Sequence, residues 1–174
     1  MLVKNKYKLV IFDVDGVIVK SDILYYEIAK RYNTKLDQDE ISHKISRSGE
    51  ELFSYIFGEN YTDNNVKWFR RMQIELFEPR RHLYNGISDI INDISKYYRL
   101  AIVSNKPEAI IRKMLSVSNI FDSFERIIGR DTGYPIKPNP DGINCILEDF
   151  KIDNKSVIYL SLIHISEPTR PRSI

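Results

Sequence analysis

KLVIFDVDGVIVK, residues Lys8 to Lys20, opens on the apolar run Leu9-Val10-Ile11-Phe12. Four residues rich in β-branched side chains are too few for a helix and read as a strand buried on both faces of a parallel sheet. The run stops at Asp13-Val14-Asp15-Gly16. Carboxylates at i and i+2 lie on the same side of an extended chain, and Gly16 lets the backbone turn sharply past the strand end. Open α/β sheets bind their ligands at the carboxyl ends of parallel strands. There, one carboxylate can attack an electrophile while the other handles a proton, and both can hold a hard cation. The plainer reading is that Asp13 and Asp15 only cap the turn, where Asp is common.

Bulk properties narrow the choices. A chain of 174 residues with 43% apolar content suits one compact domain, or a core with a small insertion. Twenty-six basic residues nearly balance 24 acidic ones, for a net charge of +2, which points away from nucleic acid as a partner. The single Cys145 rules out an internal disulfide, fits a reducing compartment, and falls on the apolar side of a predicted helix. With no secretory pattern and no apolar run near the ~20 residues of a membrane span, the expectation is a cytoplasmic protein without a membrane partner. Oligomeric state stays open.

Downstream of Lys20 the hydrophobic period changes. Ile23, Leu24, Ile28, Ala29 and Tyr32 predict a helix from Ser21 to about Asn33, started by Ser21 or Asp22. Further helices are expected over Asp37–Ser46, Gly49–Phe57 and Asn64 to about Glu78. The last carries Val66, Phe69, Gln73, Leu76 and Phe77 and is closed by Pro79. Four helices with no strand between them read as a helical cap inserted after the first strand. From Gly86 strands and helices alternate. A helix carries Ile87, Ile90, Ile91 and Ile94, and a strand covers Arg99–Ser104. A helix behind Pro107 carries Ile110, Ile111, Met114 and Leu115. A short strand at Glu125–Gly129, a helix with Ile143, Ile146, Leu147 and Phe150, and a strand at Ser156–Leu160 complete the pattern. Such alternation implies right-handed crossovers and a doubly wound sheet. The last stretch, SLIHISEPTRPRSI from Ser161, breaks the pattern and resembles a translated sequencing-adaptor read. It is expected to be a non-native tail.

The pattern hhhhDxDGV around Asp13 resembles the first signature of the haloacid dehalogenase superfamily of phosphatases and phosphomutases. Ser104-Asn105-Lys106 resembles the second, a Ser or Thr ending the second core strand, although Ser before Asn and Pro is also an ordinary helix cap. Lys137 in Ile136-Lys-Pro-Asn-Pro-Asp141 resembles the third, a Lys followed by PxPD. Most lysines are solvated surface groups, and the KPNPD context is what sets this one apart. The fourth signature, an acidic pair that completes a Mg²⁺ site, is expected after Leu160, where the chain has Ser161-Leu162.

The resemblance implies an α/β fold: a Rossmann-like doubly wound parallel sheet, three layers α/β/α, with an inserted α-helical cap and a C-terminal truncation. Residues 1–19 and 84–160 would form the core, 20–83 the cap and 161–174 the tail. It implies a Mg²⁺-dependent phosphatase acting through an aspartyl-phosphate. Asp13 would be the nucleophile, Asp15 the acid and base, and Lys137 the catalytic cation. Ser104, Asn105, Gly16 and Arg47 would contact substrate, and Asp13 and Asp15 would hold the metal. Asp15 favours phosphatases over dehalogenases, since an alkoxide leaving group needs a proton and a halide does not. The cap is similar to that of the phosphoglycolate phosphatase and β-phosphoglucomutase branch, so the substrate would be a small phosphorylated metabolite. A sugar phosphomutase on the same scaffold and an inactive truncated chain are the alternatives. Arg47 could equally be an exposed helix-end arginine. Arg70, Arg71, Arg80 and Arg81 read as solvated charge, and His43, His82 and His164 show no metal-ligand spacing.

Overall fold

The computed structural model describes residues 6–45 and 49–161. Strand β1, Leu9–Phe12, lies inside a parallel sheet. It pairs on one side with β2, Arg99–Val103, and on the other with β4, Val157–Leu160. Strand β3, Arg126–Ile128, adds to β2, so the spatial order is β3-β2-β1-β4. Phe12 stands beside Ile102 and Leu160, which brings the chain exits from three strands to one edge.

Period-2 alternation sends the side chains of β1 and β2 to opposite faces. Val10, Phe12, Leu100 and Ile102 point into one core with Ile91, Ile111 and Met114. Leu9, Ile11, Ala101 and Val103 join Ile146 in the other. Helices α6 (Ile87–Ile94) and α7 (Glu108–Val117) therefore cover one face, and α8 (Asp141–Phe150) covers the other. The result is three layers, α/β/α. Each fully buried aliphatic side chain contributes about 1.5–3 kcal/mol to holding these layers together.

The insertion after β1 is helical. It consists of α1 (Ser21–Tyr32), α2 (Gln38–Ile45), α3 (Gly49–Phe57), α4 (Asp63–Glu75) and the short α5 (Pro79–His82). Aromatic edges bind it together: Tyr25 and Phe53 both meet the Phe69 ring, at centroid separations of 5.3 and 5.4 Å. The outgoing and returning chains pair where they leave the core. Lys20 N–H donates to His82 C=O at 2.7 Å, and Tyr84 N–H to Ile18 C=O at 3.2 Å. Helix α4 also packs on α7, so the insertion rests on the sheet layer at a second place.

Helix positions agree with the hydrophobic period; some ends do not. Helix α4 stops at Glu75, a turn before Glu78, and Pro79 opens α5 instead of simply closing α4. Proline needs no N–H at the first position of a helix, where it has no partner to lose. Pro107 precedes α7 and is not inside its first turn. No helix among the described residues is long and apolar enough to cross a membrane.

Candidate active site

Past the end of β1 the chain is pinned at Asp13, whose N–H donates to Leu160 C=O at 2.8 Å. Its carboxylate is nearly buried, with Oδ1 accepting from the Val14 N–H at 2.8 Å. The other oxygen, Oδ2, lies 2.5 Å from the Lys137 ammonium and accepts from the Ser161 hydroxyl at 3.2 Å. Gly16 adopts φ 75°, a left-handed turn that costs glycine nothing, and its N–H closes onto Val19 C=O at 2.7 Å. This turn throws the chain from the strand edge up toward α1.

Lys137 arrives on the loop before α8, and Asn105 holds it there. The Asn105 amide accepts from Lys137 N–H at 2.8 Å and donates to Lys137 C=O at 3.1 Å, a two-point brace across the strand ends. The Lys137 ammonium also donates to the Tyr159 hydroxyl at 3.2 Å. Ser104 is buried directly after β2, its hydroxyl accepting from Lys106 N–H at 3.3 Å.

A second carboxylate–ammonium pair sits beside the first. Lys106 Nζ lies 2.9 Å from Asp15 Oδ1, and its side chain is 1% exposed. The same ammonium donates to the Tyr25 hydroxyl at 2.5 Å and to Gln73 Oε1 at 2.8 Å. The Ser21 hydroxyl donates to the same oxygen of Asp15. Burial alone would push the Lys106 pKa down, but the facing Asp15 charge and the Tyr25 hydroxyl carry it above the ordinary lysine value. Burial, followed by the Asp15 charge, pushes the Tyr25 hydroxyl up to about 12. Lys106 is therefore an ammonium and Tyr25 a neutral phenol throughout the physiological range.

Backbone packing fixes this second pair. Gly129, just past β3, lies so close that a Cβ there would stand 2.5 Å from Glu108 N and 2.8 Å from Lys106 C=O. Only glycine lets the chain after β3 press against residues 106–108.

Residues 10–161 match the haloacid dehalogenase-like hydrolase family. The chain belongs to that family. Among relatives of this hydrolase, the phosphoglycolate phosphatase of Aliivibrio fischeri is 25% identical over 160 residues, spanning 81% of this chain and 69% of its own. A predicted phosphoglycolate phosphatase from Haemophilus somnus superposes with a TM-score of 0.74 at 19% identity, covering 90% of this chain and 77% of that one. A Thermotoga maritima protein classed provisionally as a beta-phosphoglucomutase gives 0.65 at 21% identity, covering 87% and 74%. At those identities the two structures speak for the fold. Family and relatives together class the chain as an enzyme, a hydrolase of the phosphatase kind.

In this hydrolase Asp13 and Lys137 meet, with Ser104, Asn105 and Gly16 on the same sheet edge and Asp15 next to them. Arg47 lies outside the described residues. Arg70 and Arg71 line a groove of about 330 Å³ between α4 and α7, together with Arg130 and Ile110. The donor chemistry suits Mg²⁺, which takes one or two carboxylates and otherwise keeps water or phosphate oxygens. Asp13 and Asp15 supply two such carboxylates, and no cluster of three or more acidic, His or Cys ligands exists among the described residues.

Sequence reasoning missed Lys106, Tyr25, Gln73, Ser21 and Ser161. Lys106 is the third residue of the quoted Ser-Asn-Lys, overlooked because most lysines are solvated. Gln73 did leave a signal: it is a polar residue on the apolar stripe of α4 and is 3% exposed.

Proposed function

We propose that this chain hydrolyses a small phosphorylated metabolite of the phosphoglycolate type through an aspartyl-phosphate. The observation that carries the reading is the Lys137 ammonium 2.5 Å from Asp13 Oδ2, at the carboxyl edge of the parallel strands, where open α/β sheets bind their ligands. A carboxylate approaching a phosphate dianion meets like-charge repulsion. An ammonium at that distance offsets it and stabilises the charge on the transferring group.

Asp13 attacks phosphorus in line, the bond from phosphorus to the leaving oxygen breaks, and Asp15 gives that oxygen its proton. Asp15 then takes a proton from the water that attacks the aspartyl-phosphate, and the Asp13–phosphorus bond breaks to release phosphate. Ser104 and Lys137 hold phosphoryl oxygens, and Asn105 acts through Lys137 by bracing its backbone. Arg47 is proposed as a contact for a substrate anion. Asp13 and Asp15 would hold Mg²⁺, which when bound neutralises negative charge on the phosphoryl oxygens.

The test is phosphate release from a panel of phosphate esters, with and without Mg²⁺, by wild type and Asp13→Asn. Wild type is expected to release phosphate and to trap as a hydroxylamine-labile acyl phosphate, while the variant does neither. A fully active Asp13→Asn would remove Asp13 as nucleophile. Phosphate exchange between two sugar positions without free phosphate would indicate the mutase instead.

A further inference from the structure

We propose that Lys106 is a positioning residue that ties the helical insertion to the orientation of Asp15, so that the proton-transfer group is set only while the insertion is seated. This rests on the reading of Asp15 as acid and base. An ammonium has three protons to donate. Here they meet three oxygens from three separate parts of the chain: Asp15 Oδ1 past β1, the Tyr25 hydroxyl on α1 and Gln73 Oε1 on α4.

Two of those partners belong to the insertion, and the third is the group proposed to move protons. Tyr25 and Gln73 also bond to each other, at 3.3 Å, and both are buried. The ammonium is the charged donor these buried oxygens share, and removing a charged partner from a buried network is costly. Swinging α1 and α4 away would strip Lys106 of two acceptors at once. The remaining pair with Asp15 would then open to water and lose its single orientation. Ser21, the first residue of α1, donates to the same oxygen of Asp15, so that oxygen is held from the insertion directly as well as through Lys106.

Lys106 touches no reacting atom in this arrangement. Its effect is on where the Asp15 carboxyl points, and geometry of that kind is worth up to about 100-fold in rate. The consequence is selective. In the step that forms the aspartyl-phosphate, an alkyl phosphate needs a proton on its leaving oxygen and depends on Asp15 orientation, whereas 4-nitrophenolate leaves without one; the hydrolysis that follows is common to both substrates.

The experiment compares the two substrate types in wild type, Asp15→Asn, Lys106→Met, and the double variant Tyr25→Phe with Gln73→Met. The double variant keeps Lys106 and Asp15 and alters only the insertion's side, so it serves if Lys106→Met folds poorly. Expected for Lys106→Met is a loss in kcat/KM, which reports formation of the aspartyl-phosphate, of about 10- to 100-fold with the alkyl phosphate and several-fold at most with 4-nitrophenyl phosphate. The double variant should show the same selectivity to a smaller degree. Equal losses on both substrates in both variants overturn the proposal. If Asp15→Asn itself shows no selectivity, the acid–base reading fails, and a second measurement judges the tie.

That measurement needs no turnover. The chain has one Trp and one Cys, so energy transfer from Trp68 on α4 to an acceptor attached at Cys145 on α8 reports how the insertion sits on the core. Transfer efficiency is expected to drop in Lys106→Met and in the double variant. Wild-type efficiency in both overturns the tie.

Discussion

Two aspartates separated by one residue each face a lysine, yet the two pairs do different work. Asp13 and Lys137 come from the sheet layer and the loop before α8, and both side chains keep an opening, at 12% and 9% exposure. Lys137 there has Asp13 and a tyrosine hydroxyl as partners, so a phosphate can join the pair without dismantling it. Asp15 and Lys106 form the opposite arrangement. The ammonium is sealed, all its protons are spoken for, and two of its partners lie on inserted helices. The first pair is arranged to receive charge. The second is arranged to hold parts together.

Breaking the two pairs is therefore expected to have different effects. Lys137→Met is expected to lower phosphate release on the order of 10²–10³-fold, as loss of a single transition-state donor does, while the melting temperature stays close to wild type. A steady-state assay beside a thermal melt checks this, and a large melting shift would put Lys137 on the structural side. Lys106→Met should differ by lowering stability as well as rate. It leaves Tyr25, Gln73 and Asp15 without their shared donor and is expected to cost on the order of 3 kcal/mol by urea unfolding. Gly129→Ala sharpens the same point. The Cβ cannot fit 2.5 Å from the Glu108 backbone, so about 1–3 kcal/mol of stability should be lost.

The smallest effect concerns alkaline pH. Both Lys106 and Tyr25 have pKa values raised by the fold, so the native chain keeps their protons longer than the unfolded chain does. The stability from Lys106 is complete below the ordinary lysine pKa and is lost as pH rises toward the raised value. For Tyr25, going from 10.0 to about 12 means that stability falls as pH climbs through that interval. The expected loss is roughly 1–3 kcal/mol, the free energy by which the folded chain holds these protons more tightly than the unfolded one. Urea midpoints from pH 8 to 12 should fall above pH 10, with a shallower slope for Tyr25→Phe. An unchanged slope in that variant would place the alkaline sensitivity elsewhere.

Much of this was legible in advance. Leu9-Val-Ile-Phe12 marked a strand covered on both faces, and all four residues are buried. The alternation after Gly86 predicted the parallel sheet, because each strand and helix is specified by a local period. Gly16 was placed correctly at the turn, since its positive φ follows from the sharp change of direction at the strand end. Helix ends were less legible: Pro79 signals both an end and a beginning, and only the neighbouring geometry selects between them.

Asp13 and Ser104 could be found because each follows a strand, and parallel strands deliver their carboxyl ends to one edge, whereas Lys137 was legible from its KPNPD context. That convergence is a consequence of topology, and topology was readable from hydrophobic periods alone. The node at Lys106 was not. Tyr25, Gln73 and Lys106 lie on α1, α4 and the loop after β2, and no local rule relates them. Which buried ammonium meets which oxygen depends on how helices pack across a boundary, a long-range property that a local pattern does not encode.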